Sequence, residues 1–426
     1  MSSKAHGSSY ALQRQREIFL GKLRGQKRAI PVSFSKLREK ARQKLSKEAF
    51  AYIAGSAGRE STKSSNQEAF KRWKIVPKML RGVSSGDARV DLFGTSLPTP
   101  FLLAPIGVLE MAHKQADLAV SKAAAEEGVP FIFSSQASVS MEECSSVMGN
   151  APRWFQLYWS TNNDLVASFV KRAETCSCSA IVLTLDTTML GWRPRDLDLD
   201  FLPFLRGMGI AQYTSDTVFN EMMQSPPSQQ QESPKPTVES LKVLYQMSKN
   251  YPGSFWKNLF SDEPRKAVQT FIETYSRPSL SWEDLSFLRS LTDLPILLKG
   301  ILSPDDARKA VEADMDGIIV SNHGGRQVDG SISSVDALST ITQTIEGEIP
   351  VLMDSGIRSG SDIFKALALG ADAVLLGRPY VYALAIAGEA GVREMIQNYR
   401  ADFELTMRLS GLQSVGDIDR NCLQAI

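Results

Sequence analysis

Eight short apolar runs recur along this chain, and helical spacing of apolar residues follows most of them. The runs predict strands at residues 101–106, 130–134, 154–158, 180–186, 295–299, 317–322, 350–354 and 373–377. Helical spacing is clearest at 117–127, 164–175, 304–313 and 361–369. Eight strands alternating with helices satisfy the arithmetic of an α/β fold of the (β/α)8 TIM-barrel type. A doubly wound open sheet is the structural alternative, and the even ring of polar residues at the strand ends favours the barrel.

A barrel of roughly 250 residues does not account for a chain of 426 residues, so large additions are expected. We assign residues 1–29 to a polar N-terminal tail, 30–100 to an N-terminal helical segment and 101–426 to the barrel with its C-terminal helices. Residues 191–280 form a long loop after the fourth strand, which we interpret as a lid over the barrel mouth. Within it, the Ser, Pro and Gln content of 215–240 predicts disorder.

Composition excludes several function classes. The 48 basic residues balance 47 acidic residues, which indicates no nucleic-acid partner. The absence of a long apolar run or signal sequence predicts no membrane association and a cytoplasmic location. Only His6, His113 and His323 are present, so we expect no metal site. Four scattered cysteines do not form a disulfide scaffold.

Polar residues stand at the carboxyl ends of the predicted strands, where the side chains of a barrel converge on one mouth. These ends carry Ser134, Gln156, Tyr158, Thr184, Asp186, Lys299, Ser321, His323, Asp354 and Arg378. Apolar strands that end in this set of charged, hydroxyl and amide groups predict a polar cavity.

Two neighbouring loops have the features of a phosphate site. The run Asp354-Ser355-Gly356-Ile357-Arg358 follows strand seven, and Gly377-Arg378 ends strand eight. Barrels commonly bind phosphate here with glycine amides and a helix N-terminus, and arginine adds bidentate anion recognition. A single glycine loop would more simply be a tight turn, but two adjacent loops favour phosphate binding.

His323 and Arg326 lie three residues apart beyond strand six. An imidazole that accepts a proton beside a guanidinium that holds a carboxylate suits the oxidation of an acid with a hydroxyl at Cα. We therefore interpret His323 as functional, and His113 and His6 as structural.

These motifs, together with the runs 103–113 and 187–197, resemble the FMN-dependent α-hydroxy acid oxidising family, which includes glycolate oxidase, lactate oxidase, mandelate dehydrogenase and flavocytochrome b2. The similarity is greatest to its lactate 2-monooxygenase branch. It extends from about residue 30 to the C-terminus and is weakest at 215–265. The resemblance implies an FMN cofactor, a small carboxylate substrate, O2 as electron acceptor and a homo-oligomer, often a tetramer.

The resemblance also implies roles for individual residues. His323 is the expected base, Asp186 orients it, Tyr158 contacts the reacting oxygen, and Lys299 supplies positive charge beside the flavin ring. The residues expected to hold the substrate are Tyr52, Tyr158, Arg193 and Arg326. The residues expected to hold FMN are Pro105, Ile106, Gly107, Ser134, Gln156, Thr184, Lys299, Ser321, Asp354, Ser355, Gly356, Ile357, Arg358, Gly377 and Arg378.

The outcome of the oxidation depends on Gly107, which stands where many relatives have alanine. We expect glycine to leave room beside flavin N5, which with a long lid would retain the keto acid until oxygen reacts. The products would then be either the 2-keto acid and hydrogen peroxide, or the shortened acid, carbon dioxide and water. The substrate tail is expected to contact the strand-four loop, with candidates Phe201, Leu202, Phe204, Leu205 and Tyr213.

Three alternatives remain open at this point. The same clamp and base suit a larger 2-hydroxy acid or an α-amino or cyclic imino acid. A flavin-binding barrel that has lost catalysis would be no enzyme. A phosphate-binding barrel of isomerase type would contain no flavin.

Overall fold

A closed barrel of eight parallel strands forms the centre of the molecule, whose computed structural model describes residues 9–224 and 237–426. Its strands are β1 (Phe101–Leu103), β2 (Phe131–Ser134), β3 (Arg153–Leu157), β4 (Ile181–Thr184), β5 (Ile296–Ile301), β6 (Gly317–Val320), β7 (Val351–Met353) and β8 (Ala373–Leu376). Each strand pairs with its neighbours along the chain, and β8 pairs with β1 in parallel, Leu375 opposite Leu102. The predicted TIM barrel is confirmed, and the open sheet is excluded.

β1 and β4 end earlier than predicted, whereas β5 extends two residues further than predicted, to Ile301. β1 ends at Leu103 and β4 ends at Thr184, so Pro105 and Asp186 lie in loops. The strands are buried along almost their whole length, since one set of side chains fills the barrel and the alternate set packs against the helices. The residues past the strand ends are thereby free to face the mouth.

A short hairpin closes the opposite, amino-terminal end of the barrel. Its strands Val90–Leu92 and Thr95–Leu97 are antiparallel, and Leu92 and Leu97 join the apolar cluster inside the barrel. The ring of Phe93 lies 5.8 Å from that of Trp154 in an edge contact. With one end plugged by apolar side chains, the carboxyl-terminal mouth remains for ligands.

Helices surround the barrel, and the four whose ranges were predicted match the structure to within one residue at each end. The surrounding helices are Ala116–Glu127, Met141–Met148, Asn163–Thr175, Leu285–Leu291, Pro304–Glu312, Ser334–Ile345, Gly360–Ala368 and Arg378–Leu409, the last interrupted at Ala387 and Gly388. Several begin at a serine or asparagine whose side chain accepts a backbone N–H, as Asn162 and Ser359 do. Short 3-10 turns lie at Leu109–Met111, Pro203–Arg206, Trp282–Asp284, His323–Gly325, Val415–Asp417 and Arg420–Cys422.

The N-terminal segment packs on the barrel from outside. Its helices are Tyr10–Leu23, Phe34–Lys44, Lys47–Ala54 and Ser61–Lys71. The first of these lies within the predicted polar tail, and its cap Ser9 donates to Glu404 at 2.6 Å. A small antiparallel sheet joins Trp73–Ile75 to Leu423–Ala425, which ties this segment to the chain's last residues.

The insertion after β4 contains several helices, and its buried apolar residues join the main core. The helices are Pro194–Leu197, Ala211–Thr214, Thr217–Met222, Val238–Asn250, Phe255–Leu259 and Glu263–Thr274. Disorder over 215–240 is therefore wrong for Thr217–Met222 and for the start of Val238–Asn250, while residues 225–236 lie outside the described part. The backbone N–H of Gly209 donates to Glu110 at 2.9 Å, which docks the insertion beside the β1 loop.

Two further features concern the described ranges alone. In residues 9–224 and 237–426 no helix is both long and apolar enough to cross a membrane. The same ranges contain no group of three or more His, Cys, Asp or Glu side chains arranged to hold a metal ion.

Candidate active site

A cleft of about 1180 Å³, open to solvent, occupies the carboxyl-terminal mouth of the barrel. The residues predicted from sequence that line it are Tyr52, Pro105, Ile106, Gly107, Gln156, Tyr158, Thr184, Arg193, Lys299, His323, Arg326, Asp354, Ser355, Gly356, Ile357, Arg358, Gly377 and Arg378. Three others lie behind the wall: Ser134 contacts Gln156, Asp186 contacts His323, and Ser321 contacts Lys299. The predicted site residues thus come together at one place.

His323 and Asp186 form a hydrogen-bonded pair at one end of the cleft. Nδ1 of His323 lies 2.7 Å from Oδ1 of Asp186, and Thr187 Oγ1 donates to the same carboxylate oxygen at 3.0 Å. Burial lowers the pKa of His323, although the charge of Asp186 opposes this shift. The neutral imidazole therefore carries its proton on Nδ1, facing the acceptor Asp186, and leaves Nε2 able to accept one.

Asp186 stays ionised in spite of its surroundings. Burial by itself would raise its pKa, but the charge of His323 in its protonated form, the charge of Lys299 and two hydrogen bonds outweigh it and lower the pKa to about 2. A carboxylate that is ionised at every physiological pH favours the protonated form of His323 when a proton arrives.

Lys299 is a buried cation at the end of β5. Its Nζ donates to Ser321 Oγ at 2.8 Å and lies 3.1 Å from Asp354 Oδ2. Burial opposes the charged form, but Asp354 and Asp186 more than compensate and raise the pKa. The same Ser321 hydroxyl accepts from the backbone N–H of His323 at 3.0 Å, so it links the lysine to the histidine loop.

Arg193 and Arg326 both lie close to the Tyr52 ring. Their guanidinium carbons lie 5.9 Å and 4.7 Å from the ring centroid. Arg326 donates to the carbonyl oxygens of Tyr52 and Gly55, and burial together with the charge of Arg193 lowers its pKa to about 10. Within the described residues neither arginine forms an ion pair. The charge of Asp196 acts on Arg326 only from beyond ion-pair distance. Two guanidinium groups without a carboxylate in contact favour an anionic ligand beside them.

The N-terminal segment reaches the mouth through backbone contacts with two barrel loops. The N–H of Ala57 donates to Gly325 O and that of Gly58 to Trp192 O, both at 2.9 Å. The Asp329 carboxylate accepts from the backbone N–H groups of Arg59 and Ser61, each at 2.7 Å. These contacts place Tyr52 at the site although it precedes the first barrel strand by about fifty residues.

Arg358 and Arg378 follow β7 and β8 and line the part of the cleft that we call the phosphate end. Arg378 donates to the carbonyl oxygens of Ile53, Gly324 and Gly55 at 3.0, 3.1 and 2.8 Å. Burial lowers its pKa to about 9, and burial also lowers the pKa of Arg358. Neither has an ion-pair partner in residues 9–224 and 237–426. Because Gly377 begins the helix Arg378–Leu409, backbone amides join these charges in an anion site.

Three buried polar atoms in the cleft wall lack a hydrogen-bond partner among the described residues: Gln156 Nε2, Thr184 Oγ1 and Arg358 Nε. Gln156 is held from behind, since its Oε1 accepts from Ser134 Oγ and from the N–H of Ser135, both at 3.2 Å. Such unpaired groups cost free energy unless a ligand satisfies them. An amide and a hydroxyl suit the polar edge of a heteroaromatic ring, and the guanidinium suits a phosphate, so the residues fit FMN.

The structure differs from the sequence-based expectations in the wall beside the substrate. Phe204 and Tyr213 are buried in an aromatic cluster of the insertion, and Tyr213 packs 4.8 Å from Phe271. None of the five candidate tail contacts lines the cleft; Leu190 and Gln136 do. Leu190 follows β4 and Gln136 follows β2 by a few residues. Their position just after a predicted strand was the signal that could have identified them as cleft residues.

The expected free space at Gly107 is not present. A Cβ at this position would lie 2.9 Å from Gln136 Cβ and 3.1 Å from Gln136 O. The backbone of the β2 loop thus occupies the volume that a methyl group would take. The glycine here permits close packing of two loops.

A closed barrel whose mouth joins an anion site at β7 and β8 to a neutral base and two unpaired guanidinium groups defines the class of protein: a TIM-barrel enzyme that binds a phosphate-bearing cofactor beside an anionic substrate. Comparison with known proteins makes this class specific. The sequence model of the FMN-dependent dehydrogenase family matches residues 41–425. The chain belongs to this family and is an FMN-dependent oxidoreductase.

Individual relatives agree with this assignment. An L-lactate oxidase from Lysinibacillus sphaericus is 39% identical over 386 residues, which cover 91% of each chain. A peroxisomal (S)-2-hydroxyacid oxidase from Arabidopsis thaliana is 39% identical over 394 residues, covering 92% of this chain and 95% of the relative. A crystal structure of mandelate oxidase with (S)-4-hydroxymandelic acid has a TM-score of 0.76 at 34% identity, covering 93% and 99%.

Proposed function

We propose that the enzyme oxidises a small L-2-hydroxy acid to the 2-keto acid and passes the electrons to O2. The observation that carries this proposal is the neutral His323 imidazole, held by Asp186 at 2.7 Å, in the same cleft as two arginines without anionic partners. A base beside a carboxylate clamp is the arrangement that oxidation at Cα requires. The names of the lactate and (S)-2-hydroxyacid oxidase relatives support the substrate class.

The reaction removes two hydrogen atoms from the substrate, one from the hydroxyl oxygen and one from Cα, as the C–O single bond becomes a carbonyl. His323 accepts a proton at Nε2. Asp186 stabilises the resulting imidazolium through the hydrogen bond at Nδ1. FMN, when bound, would supply the redox chemistry by taking up the two electrons together with the second hydrogen of the substrate. With O2 as the final acceptor, the two electrons and two protons would leave as hydrogen peroxide.

Arg193 and Arg326 hold the substrate carboxylate in this proposal, with the Tyr52 ring close to both guanidinium groups. Burial and the charge of Asp186 raise the pKa of Tyr158, so its hydroxyl remains protonated and can donate to the substrate oxygen. The substrate is thereby oriented with its Cα hydroxyl toward His323.

The cofactor is held by the cleft residues already named. Gln156 and Thr184 hydrogen-bond the ring, and Ser134 orients Gln156 from behind. Lys299, whose raised pKa keeps it charged, stabilises negative charge on the ring. Arg358, Arg378 and Gly377 with its neighbouring loop would hold the phosphate, and Asp354 would hold the ribityl chain.

Release of peroxide is the favoured outcome over coupled decarboxylation. The case for retention of the keto acid depended on space at Gly107, and Gln136 fills that space. The 2-keto acid and hydrogen peroxide should therefore form in a 1:1 ratio. Carbon dioxide and the shortened acid in place of peroxide would reverse this ranking.

A cytosolic location and a homo-oligomeric, tetrameric assembly complete the proposal. Both rest on the sequence and on the family resemblance. Subcellular fractionation tests the first, and light scattering of the purified protein at several concentrations tests the second.

The decisive experiment is anaerobic titration of the purified yellow protein with L-lactate, glycolate, (S)-mandelate and L-pipecolate, with D-lactate as control. We expect bleaching of the flavin absorption by at least one of the L-2-hydroxy acids and not by D-lactate. Bleaching by pipecolate alone would move the substrate class to imino acids. Absence of bleaching by every compound in an FMN-loaded protein would refute the proposed reaction.

A further inference from the structure

The side chain of Gln327 uses its whole hydrogen-bonding capacity inside the site. Its Oε1 accepts from Arg193 Nη2 at 2.9 Å and from the N–H of Gly191 at 3.3 Å. Its Nε2 donates to the carbonyl oxygens of Asp186 and Met189, both at 2.8 Å. A carboxamide offers two donors and two lone pairs, and here two carbonyls face the nitrogen while two N–H donors face the oxygen. Only one orientation of the amide satisfies all four.

These partners span one segment, residues 186–193, that follows β4. Asp186 at its start orients the base, and Arg193 at its end belongs to the carboxylate clamp. Gln327 itself follows β6, one residue after Arg326. One side chain therefore joins the β4 loop to the loop that carries His323 and Arg326, and it does so at both ends of the β4 segment.

The two loops are also in direct backbone contact. A Cβ at Gly191 would lie 2.5 Å from Arg326 O and 2.7 Å from Gln327 O, so no side chain fits there. The Nε of Arg193 donates to Arg326 O at 3.1 Å. The position of the Arg193 guanidinium is thus set by two acceptors, both of which belong to residues 326 and 327.

The neutrality of the Gln327 side chain matters as much as its shape. Its oxygen is a neutral acceptor, so it orients Arg193 without cancelling the positive charge. A carboxylate at the same place would neutralise Arg193 and repel an anionic substrate. It would also turn an acceptor toward Asp186 O and Met189 O, which both need a donor.

We propose that Gln327 is a positioning residue, which holds the Arg193 guanidinium and the Asp186 backbone in fixed relation while leaving the charge of Arg193 available for the substrate carboxylate. This inference rests on the proposed function, because it assigns Arg193 to a carboxylate. It adds a residue that acts through Arg193, which holds the substrate carboxylate, and through Asp186, which orients the base.

The test compares Gln327→Glu and Gln327→Met with the wild-type holoenzyme. Glu keeps the length and one acceptor but neutralises Arg193. Met keeps the length and packing but removes every hydrogen bond. Gln424→Glu is the charge-matched control, since Gln424 is exposed in the terminal strand opposite Lys74. Each protein is assayed for FMN absorbance, thermal midpoint, steady-state KM and kcat with L-lactate, and binding of oxalate, a dicarboxylate without an oxidisable Cα–H.

We expect KM and the oxalate Kd to rise at least about tenfold in both variants, and more in Gln327→Glu, while FMN remains bound. The control should match the wild type. A residue that only stabilises the fold would lower the thermal midpoint and leave KM and the oxalate Kd unchanged. If Gln327→Glu does not fold, Gln327→Met decides by itself, because it introduces no buried charge.

Values of KM and oxalate Kd within about twofold of wild type in an FMN-loaded variant would overturn the inference. Failure of the proposed function has a different signature. In that case the wild-type protein itself would not be reduced by any 2-hydroxy acid, whereas oxalate binding would still report on Gln327 and Arg193.

Discussion

The two ends of the cleft are both cationic, yet they are built differently. At the phosphate end, Arg378 is held by three backbone carbonyl oxygens from the N-terminal segment and the β6 loop. At the base end, side chains hold two of the groups, since Asp186 holds His323 and Gln327 holds Arg193. Arg326 there donates to the backbone carbonyl oxygens of Tyr52 and Gly55. A backbone cradle is insensitive to the identity of neighbouring side chains, whereas the base end depends on each of them.

The difference follows from what each end has to do. A cofactor phosphate keeps its charge throughout, so fixed dipoles and permanently charged arginines suffice. A base must change its protonation state during turnover, so its pKa and tautomer have to be set by specific partners. We therefore expect substitutions at the base end to slow turnover with FMN still bound, and substitutions at the phosphate end to weaken FMN binding with turnover preserved.

The largest effect should come from His323→Ala. Loss of the proton acceptor should slow flavin reduction by L-lactate by about 10²- to 10⁴-fold, with the bound FMN spectrum retained. Anaerobic stopped-flow absorbance measures the rate. His113→Ala is the control, because this histidine does not line the cleft. Reduction at a rate close to wild type would remove His323 from the mechanism.

Arg326→Leu should affect substrate binding strongly and FMN binding little. A hydrogen bond to a charged group contributes about 1.5–3 kcal/mol, so KM should rise by about 10- to 100-fold. Arg326→Lys should recover part of the loss, since it restores the charge without the planar geometry. Arg308→Leu, a surface arginine paired with Glu348, serves as control. An unchanged KM would separate Arg326 from the substrate.

Arg378→Met should weaken FMN binding and leave the turnover number nearly unchanged, the opposite of Arg326→Leu. Loss of one charged contact to the phosphate should weaken FMN binding by about tenfold or more, measured by fluorescence of released flavin. With excess FMN the turnover number should return to nearly the wild-type value. Arg393→Met, whose partner Glu126 lies on the surface, is the matched control. A variant that binds FMN normally but turns over slowly would show that the two ends are not separable.

The pH profile tests the base end directly. Burial disfavours imidazolium, so the pKa of His323 is lowered, and the neutral base persists to more acidic pH than for an exposed histidine. We expect kcat/KM to be flat through neutral pH and to fall about tenfold per pH unit only below that lowered pKa. Asp186→Asn removes a charge that raises the His323 pKa, so its profile should shift further to acid, with a slower plateau. A shift to alkaline pH would contradict the assigned pair.

The smallest effect on FMN binding is expected from Ser134, which contacts Gln156 from behind the cleft wall. Ser134→Ala removes one of the two donors to Gln156 Oε1 and leaves the Ser135 N–H. The FMN Kd should rise by about two- to fivefold, which corresponds to a net hydrogen bond of ~0.5–1 kcal/mol. Ser290→Ala is the control, since its hydroxyl bonds only Phe287 O of its own helix. A change larger than that of Arg378→Met would indicate that ring contacts dominate FMN binding.

Particular residues show how far the sequence could be interpreted. The eight strands and the adjoining helices were predictable because runs and spacings of apolar residues along the sequence reflect which strands and helix faces are buried. The ring of polar residues followed from the strands, since the carboxyl ends of barrel strands point into one mouth. The strand ends were less accurate: β1 and β4 stop two or three residues earlier than predicted, because tertiary pairing rather than local composition ends a strand.

The cases that the sequence could not decide share one physical cause. Each is a contact between parts of the chain that are distant in sequence. The contacts are those of Gln136 with Gly107, of Gln327 with the β4 segment, and of Tyr52 with two arginines. Their distances are set by the closure of the barrel and the docking of the N-terminal segment, which leave no periodic trace in either partner. By itself the sequence determined the barrel, the FMN family and the chemical groups at the mouth. The tertiary structure decided which of those groups touch, and thereby separated the end that retains the cofactor from the end that moves the proton.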